Sequence, residues 1–192
     1  NASLCVSPAS SVSVNLLPSG IAHNATQSTD YCSIQAAINA ANPGDVINVD
    51  AGTFNENLTI NKALTLNGSG ASSTILTPTT SCSGDGITIT AANVNVSNLR
   101  VTGFTYGIRT SSSTISLNNV ESVSNCQYGL QTSTGTNGLN IDQCKFNNNN
   151  VGGWRAGTGD LVSNVTMDHS EVKGNGTTVN GFGIFIAAST PA

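Results

Sequence analysis

Four stretches decide the fold: Val94-Asn-Val-Ser-Asn-Leu-Arg-Val101, Ile115-Ser-Leu-Asn-Asn-Val-Glu-Ser122, Leu139-Asn-Ile-Asp-Gln-Cys-Lys-Phe146 and Val165-Thr-Met-Asp-His-Ser-Glu-Val172. Laid over one another, they agree position by position. Val94, Ile115, Leu139 and Val165 form one column, and Val96, Leu117, Ile141 and Met167 the next inward one. Leu99, Val120, Cys144 and Ser170 follow, then Val101, Ser122, Phe146 and Val172. Apolar residues alternate with polar ones, the period of a half-buried strand. A repeat of roughly twenty residues marks a coil whose turns lie on each other. The reading is a solenoid of short strands, whose function sits on an exposed groove or strip.

Working outward, a second mark repeats. Gly86-Ile87, Gly107-Ile108, Gly129-Leu130 and Gly183-Ile184 carry the same glycine-plus-aliphatic step. The wide gap before Gly183 is expected to hold one more rung and an excursion, Gly152 to Asp160, that leaves the coil as a loop. Upstream, Val46–Val49, Leu58–Ile60, Leu64–Leu66, Ile75-Leu76 and Gly86–Ile89 read as strands, with Ala51–Phe54 turning away. Ser33–Ala41 reads as a helix with Ile34, Ala37, Ile38 and Ala41 on one face. Asn42-Pro43-Gly44-Asp45 stops it. The expected division is residues 1–32 as an N-terminal extension or cap strand, with an edge strand around Val12–Val14, and residues 33–192 as the coil. The coil is expected to be truncated or continued by a partner: another subunit, a neighbouring domain or an added strand.

Composition excludes several classes. The 192 residues carry 6 Lys and Arg against 10 Asp and Glu, too few cations for a nucleic-acid surface. No run is long and apolar enough to span a membrane. Cys5, Cys32, Cys82, Cys126 and Cys144 show no close pair, which argues for disulfides in a secreted or cell-surface protein, with at least one thiol left over. The first residue is Asn, so a processed product or fragment is expected. Asn-x-Ser/Thr triplets begin at Asn1, Asn24, Asn57, Asn67, Asn95, Asn164 and Asn175 and are candidate glycosylation sites.

The run SIQAAINAANPGDVINVDAGTFNENLTINKALTLNGSG, residues 33–70, resembles the start of a right-handed parallel β-helix of the pectin-lyase-like class. There a short amphipathic helix caps the first rung and a Pro-Gly-Asp turn feeds a Val/Ile strand. The resemblance implies an all-β, single-stranded right-handed parallel β-helix (solenoid) with a short N-terminal capping helix. The class includes polysaccharide lyases, galacturonan hydrolases, pectin methylesterases, epimerases, phage tail proteins and adhesins, so fold alone does not choose a reaction. The hydrolase segments Asn-Thr-Asp, Asp-Asp, Gly-His-Gly and Arg-Ile-Lys do not occur here.

Candidate sites follow from the outward columns. Arg100, Glu121, Lys145 and Glu171 alternate in sign, as an ion ladder would, and Arg100 and Lys145 also suit an acidic sugar. Ser97, Asn118, Asp142 and Asp168 form the neighbouring column. Two carboxylates one rung apart need a cation, a shared proton or a basic neighbour. Asp142, Asp168 and Asn118 are thus candidate calcium ligands, and Lys145, Asp142, Asp168 and His169 the weak catalytic candidates. Trp154 and Arg155, on the expected loop, are candidates to hold a sugar, unless Trp154 folds back as cover. Tyr106 and Tyr128 stack one above the other. The corner column Asn98, Asn119, Gln143 and His169 reads as structural, its amides turned inward to bond open backbone groups and the amide above. His23 has no metal-like spacing to His169. Thr88/Thr90 and Thr132/Thr134 make too short a row for an ice-binding array.

The sequence reading favours a non-enzymatic recognition or structural module, polysaccharide-binding or adhesive, with a polysaccharide or cell-surface glycan as partner and no obligatory cofactor. The alternatives are a calcium-assisted polysaccharide lyase or related carbohydrate-active enzyme, centred on Asp142, Asp168 and Lys145, and a filament or cell-envelope subunit.

Overall fold

A computed structural model describes residues 21–157, 160–176 and 181–186. Cys5, Asn1 and the edge strand expected around Val12–Val14 lie outside the described residues. In chain order the elements are β1 (Ala22–Asn24), β2 (Thr29–Tyr31), α1 (Ile34–Ala40), β3 (Asp45–Val49), β4 (Gly52–Phe54), β5 (Leu58–Ile60), β6 (Leu64–Asn67), β7 (Thr74–Leu76) and β8 (Asp85–Ile89). Then come β9 (Val94–Thr102), β10 (Tyr106–Thr110), β11 (Ile115–Val123), β12 (Tyr128–Thr132), β13 (Asn137–Asp142), β14 (Gly152–Ala156), β15 (Ser163–Asp168) and β16 (Phe182–Ile186).

Two sheets run along the coil. One has the order β15-β13-β11-β9-β6-β3-β1-β2, with β4 and β7 beside it; the other is β16-β14-β12-β10-β8-β5. From β3 onward the described strands pair in parallel, each rung on the last. The register places Val94, Ile115, Leu139 and Val165 side by side, and likewise Val96, Leu117, Ile141 and Met167. The architecture is a parallel β-helix. Its core is one continuous stack of Ile, Leu, Val and Phe that includes Ile47, Leu66, Val96, Leu117 and Ile141.

Helix α1 lies where its sequence predicts. Ser33 caps it, accepting from the Ala36 N–H. The Glu56 carboxylate takes the open N–H groups of Ile34 and Gln35, at 3.0 Å each, which suits the electropositive helix start. Ile34, Ala37 and Ile38 are buried against the first rung. The hairpin β1–β2 adds antiparallel to β3 and pairs its free edge. His23 pins that hairpin, with Nδ1 2.7 Å from Asp30 and Nε2 3.2 Å from Asp50.

The structure corrects two readings. Gly52–Phe54 is not a turn but strand β4, paired with β7. Gly152–Ala156 does not leave the coil; it is β14, between β12 and β16. Leu130, Trp154 and Ile184 are register partners, so Gly153-Trp154 is the missing member of the glycine column, with an aromatic ring in the aliphatic position. The glycines recur because the corner behind them is tight. A Cβ at Gly129 would sit 2.7 Å from Asn149 Nδ2 and 2.8 Å from the Gly153 carbonyl.

Asn98, Asn119, Gln143 and His169 all adopt left-handed backbone, with φ of 57, 51, 54 and 43°. Asn tolerates this region better than most residues. Asn119 donates to Asn98 Oδ1 (2.7 Å), Asn98 to Asn67 Oδ1 (2.8 Å) and Asn67 to Asn48 Oδ1 (3.0 Å). These amides are half-buried, and Gln143 is exposed, so the column bends the chain without pointing into the core. The inward ladder sits at another corner. Asn125 Oδ1 accepts from the Phe104 N–H, Asn149 Oδ1 from the backbone and side chain of Asn125, and Asn175 Oδ1 from those of Asn149.

Cys82 and Cys126 form a disulfide across 44 residues. Cys144 is a buried free thiol, and burial pushes its pKa up to about 11. Among the sequon asparagines, Asn24 is buried and its Nδ2 donates to Asp45 at 2.7 Å, a setting that excludes a glycan from the folded chain. Asn175 Nδ2 is held on the Phe146 carbonyl, whereas Asn95 and Asn164 are exposed.

Candidate functional site

The outward column beside the Asn98 corner assembles as its spacing predicts: Ser97, Asn118, Asp142 and Asp168 are register neighbours. His169 is the neighbour of both carboxylates, its Nδ1 3.2 Å from Asp142 and 3.5 Å from Asp168. Asn118 Nδ2 donates to the other Asp142 oxygen at 3.1 Å. This arrangement does not fit a calcium ion. Both Asp142 oxygens already have partners, Asn118 presents an N–H, and a ring nitrogen is a poor ligand for a hard cation. Among the described residues no group of three or more His, Cys, Asp or Glu side chains is placed to hold a metal.

Across the corner, Glu121 accepts from Arg100 Nη2 (2.6 Å) and from Lys145 Nζ (2.7 Å). Burial pushes the Glu121 carboxyl up, but the bonds from Lys145 and Arg100 outweigh it and hold the group below the usual range. The Glu121 bond in turn raises the Lys145 pKa. That corrects the reading of Lys145 as a base, since a base at neutral pH needs a lowered value. Arg100 and Lys145 are a register clamp in the free protein, and exposed pairs of this kind contribute little stability.

Trp154 is also corrected. Its ring is buried at 3% exposure in β14, and its indole N–H donates to Thr132 Oγ1 at 3.0 Å. No ring face is left for a sugar.

The most structured exposed face lies on the other sheet. Tyr106, Tyr128 and Phe182 stack with ring centroids 5.8 Å apart at each step, and Phe185 packs on Phe182 at 5.1 Å. The next outward column is Thr88, Arg109, Gln131, Arg155 and Phe185. The Arg109 guanidinium lies over the Tyr106 ring at 5.0 Å and Arg155 over Tyr128 at 5.6 Å. Arg109 also pairs with Asp85 at 3.0 Å. A shallow cavity of about 160 Å³ at the edge of this face is lined by Thr88, Arg109, Thr110, Ser111 and Ser133. The result is a strip of stacked aromatic rings beside two cations two rungs apart, ~9.6 Å at a strand spacing of ~4.8 Å. Sequence reading found Tyr106, Tyr128 and Arg155 but missed Arg109 and Gln131. The signal was present: all of the second column sits two residues after the repeated glycine.

No family profile and no curated protein sequence matches the chain. Solved structures do. An alginate lyase from Paenibacillus sp. str. FPU-7 superposes with a TM-score of 0.62 at 16% identity, covering 72% of this chain and 56% of that one. ORF18 of Geobacillus virus E2 gives 0.61 at 19% identity, covering 73% and 33%. Pectin methylesterase PemA from Erwinia chrysanthemi gives 0.43 at 14%, covering 67% and 53%, too low to weigh. The chain thus spans about half of the lyase and a third of the viral protein. At these identities the likeness is one of fold: the chain is a parallel β-helix that shares its coil with this alginate lyase and this viral protein. The expectation of a non-enzymatic module is corrected by the lyase match, because this coil is the scaffold of a catalyst there. Among the described residues no helix is long and apolar enough to cross a membrane.

Proposed function

We propose that the chain is an extracellular carbohydrate-active enzyme that works on an acidic polysaccharide laid along the strip of β8, β10, β12, β14 and β16. The observation that carries this reading is the stack of Tyr106, Tyr128 and Phe182 with Arg109 and Arg155 lying over its tyrosines. Flat rings give a sugar apolar contact at low ordering cost, and guanidinium groups take carboxylates in a two-pronged bond. Likeness in fold to an alginate lyase supports polyuronates as the first substrates to try. The reaction that suits such a face is β-elimination. A base removes the proton on the carbon next to the uronate carboxylate, the freed electron pair forms a carbon–carbon double bond as the bond to the departing sugar oxygen breaks, and that oxygen takes up a proton. Arg109 or Arg155 on the carboxylate spreads the developing negative charge. The phenols of Tyr106 and Tyr128 are the proton-carrying groups on the same face.

His169 marks a second place where a proton can be handled. Its ring is exposed, with Nδ1 3.2 Å from Asp142 Oδ1. Purified protein incubated with alginate, pectate and a neutral glucan, and followed by ultraviolet absorbance of the unsaturated uronate product, tests both. R109A and R155A are expected to lower kcat/KM on the polyuronate about tenfold or more, the loss of one charge-assisted bond. Loss of turnover in H169A but not in R109A would move the reacting centre to the Asp142 face. No product from any polyuronate would overturn the proposal.

A further inference from the structure

Gln131 sits in the outward column between Arg109 and Arg155. Its Oε1 is, among the described residues, the one buried side-chain polar atom without a hydrogen-bond partner. Buried acceptors are nearly always satisfied, so a single orphan marks a place to explain. This orphan is not in the core. It lies in the half-buried outward strip, flanked in register by two guanidinium groups that rest back over Tyr106 and Tyr128.

We propose that Gln131 is the specificity-determining residue of the strip: its side-chain carbonyl is reserved for a hydroxyl of the sugar whose carboxylate engages Arg109 or Arg155. A carboxylate arriving on the strip draws a guanidinium outward from its tyrosine. That movement uncovers the amide beside it, and a free ring hydroxyl of the same sugar donates to Oε1. A sugar that lacks the hydroxyl leaves the acceptor as it was and gains nothing there. A site built to receive a hydrogen bond rejects the analogue that cannot make one far more strongly than an apolar pocket rejects a missing methylene. The inference rests on the polyuronate reading above and adds to it which feature of the unit is recognised besides the charge.

The test is calorimetric binding of alginate- and pectate-derived oligouronates to the full chain, its Q131L variant and Q131N. The same titrations are run with oligomers deoxygenated at one of the ring hydroxyls that the chain linkage leaves free, C2 or C3, and with carboxyl-reduced oligomers. The expected result is at least tenfold weaker binding of the hydroxylated oligouronate by Q131L, partial recovery in Q131N, and equal binding of the deoxy oligomer by wild type and Q131L. Q131L is also expected to melt no lower than wild type, since removing an unpaired acceptor costs the fold nothing. A residue that merely packs would lower the melting temperature instead. Equal binding of hydroxylated oligouronate by wild type and Q131L would overturn the role of Gln131 and leave the polyuronate reading intact. Equal binding of carboxyl-reduced oligomers, or no binding of any oligouronate by wild type, would overturn both.

Discussion

Replacing Asn125 by Ala tests whether the inward amide ladder holds the rungs together. Asn125 is fully buried. Its Oδ1 accepts the Phe104 N–H at 3.1 Å, and its Nδ2 reaches the Val101 carbonyl (3.3 Å), Ser122 Oγ (3.3 Å) and Asn149 Oδ1 (3.1 Å). Truncation leaves the Phe104 N–H orphaned in the core, which costs about 1–3 kcal/mol. Asn149 Oδ1 keeps the backbone N–H of residue 125 at 2.9 Å, so it is not orphaned. The small void and the lost donor bonds add about 1 kcal/mol. The expected loss is therefore about 2–4 kcal/mol. Urea titration followed by the fluorescence of Trp154, the single tryptophan, reads it directly. Asn140→Ala, on the exposed face, serves as control and is expected to stay within about 0.5 kcal/mol of wild type. An N125A protein as stable as that control would refute the ladder as a structural element.

Three further outcomes are expected. The double change C82S/C126S opens a closure of 44 residues, for which chain entropy gives about 4 kcal/mol; a urea midpoint unchanged from the oxidised protein would contradict this. The bond to Asp30 raises the His23 pKa, burial opposes it, and Asp50 adds to the rise above 6.5. The clasp on the β1–β2 hairpin is therefore complete below pH 6.5 and fades as pH climbs through the raised value. Protection of the hairpin amides, corrected for the intrinsic pH dependence of exchange, should fall there in wild type and fall less in D30N, where only Asp50 still holds the ring. Cys144, with its thiol pushed to about 11 by burial, should resist alkylation near pH 8 until denaturant is added; mass spectrometry showing modification of the native protein would count against its burial.

The coil was legible because its inward columns repeat at fixed offsets and tolerate little but aliphatic side chains. Val96, Leu117, Ile141 and Met167 could be aligned from that constraint alone, as could the Asp142–Asp168 pair on the outside. Strand β14 was not, because Trp154 replaces the aliphatic residue that marked the other rungs and two glycines precede it. The Asn125–Asn149–Asn175 ladder was hidden in a chain rich in asparagine: Asn147, Asn148, Asn149 and Asn150 look alike in sequence, and only the bend shows which of them is buried and bonded. Of the ion ladder, Arg100, Glu121 and Lys145 pair as aligned while Glu171 pairs with Lys173, and the consequence for Lys145 required the distances to Glu121. Arg109 and Gln131 escaped notice because outward positions carry no shared residue type; only their common distance from the glycine step links them.

The one-to-one register of rungs has a consequence for length. Every turn of chain adds ~4.8 Å to the axis and one outward position to each lane, so the protein acts as a ruler graduated in rungs. Duplicating a single turn, such as residues 103–124, would lengthen each lane by one graduation without disturbing the others.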